Sequence, residues 1–316
     1  MKRYPILLEG IRKDAIWGGD RLIRRWGVSH TGDSLAELWT LSVRSDATCR
    51  ILNGEGKGMP LNDYLDAIGQ STQNFPLLVK LIDAGANLSV QVHPTDEDAA
   101  LVGETNGKTE MWYVLEAEEG AGLYLGTKDG VSREEFLAAM DQGSAVEELL
   151  RWVPVRAGDL CWIPAGTVHA IGKGILLAEV QQNSDVTYRL YDYGRLGLDG
   201  KPRPLHKEQA AKVLRLTTPE EREASRLTRV GKKDPCITPL VACDYFFASL
   251  LRVEAEYSLK VPKDRFLSLL CVDGRGEILC NGERYPIAKG DSYFLPADLG
   301  ACTLSGSCSI LMSGVS

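Results

Sequence analysis

The chain has 316 residues, 44% apolar and 25% charged, the composition of an ordinary globular protein with ample core for one large or two modest domains. A formal net charge of −7 excludes a broad basic face of the kind that binds a phosphate backbone, though it leaves room for a small basic pocket. No apolar run reaches the roughly 18–20 residues of a membrane span, and the apolar stretch within residues 1–9 is too short for a secretory leader, so the expected compartment is the cytosol.

In chain order, residues 61–68 carry helical apolar spacing, with Gly69 placed to end the helix. Residues 88–93 read as a strand, in which side chains two apart share a face. Ser89, Gln91 and His93 then project together, and Leu88, Val90 and Val92 pack on the other side. Residues 94–101 predict a short helical turn, because proline and acids suit a helix N-terminus. Strands follow at 110–115 and 121–125, and then a helix over 132–140, where Ser132 stands three residues before Glu135 in a capping box. Further strands are expected at 159–163, 175–181, 245–253, 266–271 and 292–295, and one more helix at 207–214. Many short strands with few crossover helices predict a mainly β chain, an antiparallel sandwich or barrel rather than a parallel α/β fold.

Residues 157–165 and 289–297 share a Gly-Asp pair, a four-residue run and Pro-Ala. The first copy continues to Gly166 and His169; the second continues to Gly300 without a histidine. The repeat predicts a duplicated β-barrel in which only the first copy keeps a metal ligand. The charged stretch 217–235 is the best boundary, dividing the chain into a metal-binding catalytic part, 1–225, and a degenerate C-terminal barrel, 226–316. Eight scattered cysteines form no Cys-x-x-Cys pair, so they read as free thiols, with Cys161 a small buried hydrophobe.

Four residues with metal-binding side chains recur around these strands: Gln91, His93, Glu110 and His169. Two imidazoles, one carboxylate and one amide oxygen suit zinc, and a single carboxylate against a doubly charged ion leaves net positive charge to act on bound oxygens. The other two histidines, His30 and His206, read as surface or helix-start residues. Glu179 stands in an apolar run, where a charge is costly without a purpose. It is either an acid whose pKa is raised toward neutrality for proton transfer or a structural carboxylate tied to a cation. Lys108, two residues before Glu110, is expected on the same face, with its ammonium near the metal cavity. Arg189 sits in an aromatic stretch where it can stack or pair. Lys80, Ser89 and Arg195 are candidates for holding phosphate, against ordinary surface or capping roles.

The segment Gly158 to His169 (Gly, five residues, Pro-x-Gly, two residues, His) resembles the second motif of the cupin superfamily, small jelly-roll barrels with a central metal. More specifically, Pro76-Leu77-Leu78-Val79-Lys80, Leu88-Ser89-Val90-Gln91-Val92-His93-Pro94, Gly107-Lys108-Thr109-Glu110-Met111 and His169-Ala170-Ile171, followed by Glu179 and Arg189, resemble the type I mannose-6-phosphate isomerases in their short bacterial form. Trp17-Gly18-Gly19 and Ala36-Glu37-Leu38-Trp39 also look like that family. The resemblance covers about residues 17–195. It implies two cupin-type jelly-roll barrels with a few short helices, the second lacking metal ligands; the chain is expected to be a monomer or a homodimer, and the sequence does not choose between them. It further implies interconversion of mannose 6-phosphate and fructose 6-phosphate, with one zinc ion on Gln91, His93, Glu110 and His169. For that reaction, which passes through an enediolate and needs a base, Glu179 is the expected proton shuttle. Arg189 and Lys108 stabilise negative charge, and Lys80, Ser89 and Arg195 complete the phosphate subsite. One departure stands out: Glu110 and His169 are 59 positions apart, too few for the helical insertion of long family members. Two readings from other classes remain at this stage, a metal-dependent cupin dioxygenase and a non-catalytic sugar-binding cupin.

Overall fold

The computed structural model describes residues 1–316 apart from 74, 102, 104, 217, 219–227 and 230–235, and it is mainly β. Two antiparallel sheets frame the central cavity. One has five strands, in the order Leu150–Pro154, Gly122–Thr127, His169–Ile171, Val90–Val92 and Tyr188–Tyr191. The other has seven, in the order Thr228–Arg229, Asp159–Ile163, Glu110–Ala117, Ile175–Gln182, Leu77–Ala84, Glu37–Leu41 and Ile11–Lys13.

Both central strands of the larger sheet, Leu77–Ala84 and Ile175–Gln182, are buried along their whole length. A strand buried on both faces reads as a mostly apolar run, and here Lys80, Asp83, Glu179, Gln181 and Gln182 interrupt it. On the inner face, Leu123, Leu125 and Ile171 of the smaller sheet meet Ile82, Trp112, Val114, Cys161, Ile163 and Leu177 of the larger. The outer face of the smaller sheet, through Val90, Val92 and Leu190, is covered by Phe136 and Met140 of the helix Arg133–Asp141 and by Ala210 and Val213 of the helix Lys207–Val213. The outer face of the larger sheet packs Val79, Leu81, Met111 and Ala178 against Ile6, Leu250, Phe294 and Leu311. These last residues belong to a nine-stranded sheet built from the C-terminal residues together with Ile6–Glu9 and Arg50–Ile51. That sheet folds over its own core of Leu259, Leu269, Ile278, Tyr293, Leu304 and Ile310.

The helix expected at 61–68 is Leu61–Ala67, and Gly69 follows with φ +74°. Ser132 caps the helix Arg133–Asp141 by accepting from the Glu135 N–H at 3.1 Å. The helix expected from Pro94 instead spans Asp96–Ala100 and is capped by Thr95, because a threonine hydroxyl satisfies a free helix N–H and proline offers no such group. Two short helices, Arg21–Arg24 and Ala145–Leu149, escape the sequence pattern. The strand expected at 266–271 runs much further, as Leu267–Cys280. Its Gly-rich middle looks like a break, but the register shifts between Cys271 and Asp273 and the strand continues. Gly274 makes this possible: its φ is +75°, and a Cβ there would strike the Ser307 carbonyl.

The repeat builds the same turn twice. Asp159 Oδ2 accepts from the Arg156 N–H at 2.9 Å, and Asp291 Oδ2 accepts from the Ala288 N–H at 2.8 Å. Gly158 and Gly290, at φ +90° and +95°, precede the two aspartates. The charged stretch expected to mark a boundary lies almost entirely outside the described residues. All eight cysteines are free thiols, and Cys161 is buried. No helix among the described residues is long and apolar enough to cross a membrane.

Candidate active site and metal centre

Along each inward row the side chains change from apolar to ionisable, which follows from the period of two. Val114 and Trp112 give way to Glu110, Leu177 to Glu179 and Ile82 to Lys80. On the facing sheet Ile171 gives way to His169, whose strand partner is Gln91. The polar ends of both sheets therefore share one end of the space between them.

His93, Glu110 and His169 are fully buried there, with one potential ligand atom from each within 4.8 Å of the others. Nδ1 of His93 lies 2.8 Å from the Val186 carbonyl, and Nδ1 of His169 lies 2.9 Å from the Thr167 carbonyl. A carbonyl only accepts, so each Nδ1 carries the proton and each Nε2 turns its lone pair inward. Those Nε2 atoms stand 3.7 Å and 3.3 Å from the Glu110 oxygens. Gln91 brings its amide to 3.3 Å from His169 Nε2. Glu110 Oε1 is buried without a hydrogen bond. Inward lone pairs, an orphaned carboxylate oxygen and second ring nitrogens already anchored to carbonyls fit a divalent cation well.

Lys108 adds a charge to this group, with Nζ 2.6 Å from Glu110 Oε2 and 3.0 Å from His93 Nε2. Burial, with help from the Lys108 charge, pushes the His93 imidazole well below its ordinary pKa and that of His169 down to about 4, so both stay neutral. Burial pushes the Glu110 carboxyl up to about 7; Glu179 adds to this and Lys108 opposes it.

Glu179 lies across the sheet from Lys80 on one side and Trp112 on the other, and Lys80 in turn faces Trp39. This row of four strands carries the charge network. The Trp112 indole donates to Glu179 Oε2 at 2.7 Å, and Lys80 Nζ stands 3.5 Å from both Glu179 Oε1 and Glu37 Oε2. Burial by itself would raise the Glu179 pKa, the first of the two alternatives that the sequence left open. The result is the opposite, because Lys108, Lys80 and the Trp112 N–H stabilise the carboxylate and bring it below its ordinary value. The Lys80 ammonium also loses solvation, but Glu37 and Glu179 more than offset that and its pKa rises.

A cavity of about 350 Å³ opens beside the buried His93, Glu110 and His169 group, reaching Gln91 and Lys108 of its surroundings and the Glu179 network. Lys80, Ser89, Gln91, Lys108, Glu179 and Arg189 all line it. Arg189 Nε donates to Ser89 Oγ at 3.3 Å and Nη1 to the Pro204 carbonyl at 2.9 Å. His206 precedes the helix Lys207–Val213, and its Nδ1 accepts from the Arg189 N–H at 3.2 Å. Arg195 is not part of the cavity wall: it donates to the Asn87 carbonyl at 2.5 Å and to Asp192 at 2.7 Å. Leu88 differs from expectation, since the strand proper begins at Val90 and alternation does not reach back to it; Leu88 lines the cavity beside Ser89.

Glu37, Asp185 and Arg203 also line the cavity and escaped the sequence reading as site residues. Glu37 carries the same signal as Glu179, an acid within an apolar strand, and its Oε2 accepts from the Trp39 indole at 2.6 Å. Asp185 and Arg203 lie outside strands and helices, where no periodicity marks them.

Facing antiparallel sheets around buried imidazole and carboxylate ligands are the build of a cupin with a metal-capable centre. Residues 6–121 match the family described as phosphomannose isomerase type I, catalytic domain, and residues 236–315 match mannose-6-phosphate isomerase, cupin domain. The mannose-6-phosphate isomerase ManA of Bacillus subtilis (strain 168) is 36% identical over 320 residues, with 99% of each chain covered. The mannose-6-phosphate isomerase of Streptococcus mutans is also 36% identical, with 98% of each covered. The crystal structure of the mannose 6-phosphate isomerase from Bacillus subtilis superposes with a TM-score of 0.88 at 32% identity, covering 99% of both chains. A putative mannosephosphate isomerase from Archaeoglobus fulgidus shares the fold at a TM-score of 0.76 and 20% identity, covering 100% of this chain and 99% of its own. The chain belongs to the type I phosphomannose isomerase family.

Proposed function

We propose that the protein interconverts mannose 6-phosphate and fructose 6-phosphate, with zinc held by Gln91, His93, Glu110 and His169 and with Glu179 moving the proton between C1 and C2. The observation that carries this reading is an anchored carboxylate, Glu179, on the wall of a cavity that also exposes Gln91 and Lys108, the two side chains in contact with the buried His93, Glu110 and His169 group, in a chain that aligns end to end with relatives named for this reaction.

Aldose–ketose exchange needs a base, a means to stabilise charge on the enediolate oxygens and an anchor for the phosphate. Glu179 serves as the base: it is held by the Trp112 N–H through one oxygen, while the other accepts no hydrogen bond. It removes the proton from one carbon and returns it to its neighbour. A divalent cation at the four ligands supplies fixed positive charge to substrate oxygens. Rotation of the Gln91 amide offers that cation oxygen in place of nitrogen. Lys108 and Arg189 stabilise negative charge on the enediolate and the phosphate, and Ser89 steadies Arg189 through its hydroxyl. Lys80 divides its charge between Glu37 and Glu179, which suits it to holding the base rather than phosphate. The same reading divides the chain into a catalytic part, 1–225, and a degenerate cupin barrel, 226–316, with the strand Ile6–Glu9 joined to the second by its pairing with Ser292–Leu295.

A coupled assay with mannose 6-phosphate, before and after chelation and zinc restoration, tests the proposal. Activity lost to the chelator and recovered with zinc is the expected result; absence of turnover under saturating zinc overturns it.

A further inference from the structure

Three guanidiniums, from Arg189, Arg195 and Arg203, crowd a single carboxylate, Asp192, beside the cavity. Three positive charges against one negative leave an excess of two. The acids of the cavity wall, Glu37, Glu179 and Asp185, act on Lys80, and none of them is among the charges that act on Arg189, which are those of Arg203, Asp192 and Arg195.

The three arginines are not equivalent. Arg195 is spent: its Nε donates to the Asp192 carbonyl, its Nη1 to the Asn87 carbonyl and its Nη2 to Asp192 Oδ1, and its guanidinium lies 4.8 Å from the Tyr193 ring centre. Arg203 grips Asp192 with Nε, at 2.7 Å from Oδ2, and with Nη2 on Oδ1. That fork fixes the guanidinium plane and leaves Nη1 without a protein partner among the described residues. Arg189 uses Nε and Nη1 on Ser89 and Pro204, leaving Nη2 similarly free among the described residues. Pro204 follows Arg203 directly, so the carbonyl that holds Arg189 also ties down the segment carrying Arg203. Burial and the nearness of Arg203 both depress the Arg189 pKa, the mark of like charges held together.

We propose that Arg203 and Arg189 are the two arms of a dianion clamp for the sugar phosphate, and that Asp192 is the positioning residue that aims Arg203. The inference rests on the phosphosugar reading of this cavity and moves the second phosphate arm from Arg195 to Arg203. A guanidinium held flat by one carboxylate and offering its outer N–H groups matches tetrahedral phosphate oxygens, and the order imposed by Asp192 precedes binding.

The test compares Arg203→Met, Arg203→Lys and Asp192→Asn with the zinc-loaded wild-type protein. Arg203→Met is expected to raise KM for mannose 6-phosphate, and the inhibition constant of inorganic phosphate with it, by about tenfold or more, with kcat changed by less than about threefold. Arg203→Lys keeps the charge but loses the fork, so it falls between the two. Asp192→Asn raises KM in the same sense. A fall in kcat with KM unmoved, or an unaltered phosphate inhibition constant, overturns the clamp. Thermal-shift titration with inorganic phosphate separates this from the isomerase reading. Saturable stabilisation in the wild type that is lost in Arg203→Met supports the anion site even if mannose 6-phosphate is not turned over, and equal stabilisation in both overturns it.

Discussion

Glu179 and Lys80 are directly opposed residues on neighbouring antiparallel strands, with the lysine Nζ 3.5 Å from Glu179 Oε1 and equally far from Glu37 Oε2. Register fixes this relationship, since a slip of one residue on either strand would turn one partner out of the cavity. With Lys108 and the Trp112 N–H, Lys80 holds the Glu179 pKa below its ordinary value despite burial.

Replacing Glu179 by Gln keeps its shape and its contact with Trp112 but removes the carboxylate proposed as the base. Turnover of mannose 6-phosphate is expected to fall by about 10²–10⁴-fold, with zinc content unchanged by metal analysis. Near-wild-type turnover in a zinc-loaded variant sinks the base assignment.

Lys80→Met strips two carboxylates of their shared cation. Glu179 has a folded pKa below its unfolded value, so it contributes stability that is present above the unfolded pKa and lost as pH falls through the folded one. The variant forfeits part of that contribution and is expected to be less stable at pH 7 by about 3–5 kcal/mol. The difference narrows as the pH falls below about 4, where carboxylates protonate. Urea unfolding at the two pH values measures it; a gap that is the same at both contradicts the ion-pair origin. The acid limb of the kcat/KM profile also moves to higher pH in this variant.

Metal uptake is predicted to release a proton from Glu110 and not from the histidines. The His169 pKa is held near 4 and that of His93 is well depressed, so both imidazoles are already neutral at pH 6, whereas the Glu110 carboxyl is raised to about 7. Zinc affinity therefore weakens by about tenfold per pH unit below 7 and levels off above it. Calorimetry at pH 6 in two buffers of different ionisation enthalpy should read close to one proton released, and far less at pH 8. Two protons at pH 6 would mean that the imidazoles titrate.

Gly19→Ala should destabilise the fold without touching the cavity. A Cβ at that position would collide with the Asp83 carboxylate. Asp83 is fully buried and cannot yield, being bound by Arg21 Nη1 at 2.8 Å and by the backbone N–H groups of Arg21 and Leu22 at 2.6 Å and 3.2 Å. Loss of about 2–4 kcal/mol is expected in equilibrium unfolding. An unfolding midpoint equal to that of the wild type refutes the steric argument.

Where the sequence reading succeeded, the signal was periodic or local. Ser132 and Glu135 announce a helix start because capping is a contact between near neighbours. Glu179, an ionisable residue in an apolar strand, stands out because burial makes it costly, whereas the burial of Lys80, which reads as a phosphate or surface residue, does not. Where the decisive partner is distant, the sequence leaves alternatives open. Glu179 can be an acid with a raised pKa or a carboxylate tied to a cation, and only the folded chain brings in Lys108, 71 positions before it, which favours the second. Arg195 and Arg203 look alike in sequence, and only the folded chain shows Arg195 tied to Asn87 and Arg203 on the cavity wall.

By itself the sequence determined the mainly β class, the alternation that puts Gln91 and His93 on one strand face, and the identity of the groups able to hold a metal. Those follow from side-chain chemistry and from periods of two and 3.6, which are properties of short segments. Tertiary structure alone decided the protonation states and the charge partners. Electrostatic energy depends on distance and burial, and both are set by which strands pair and in what register. Lys80 thus became the counter-ion of Glu179, and Arg203 came to stand beside Arg189.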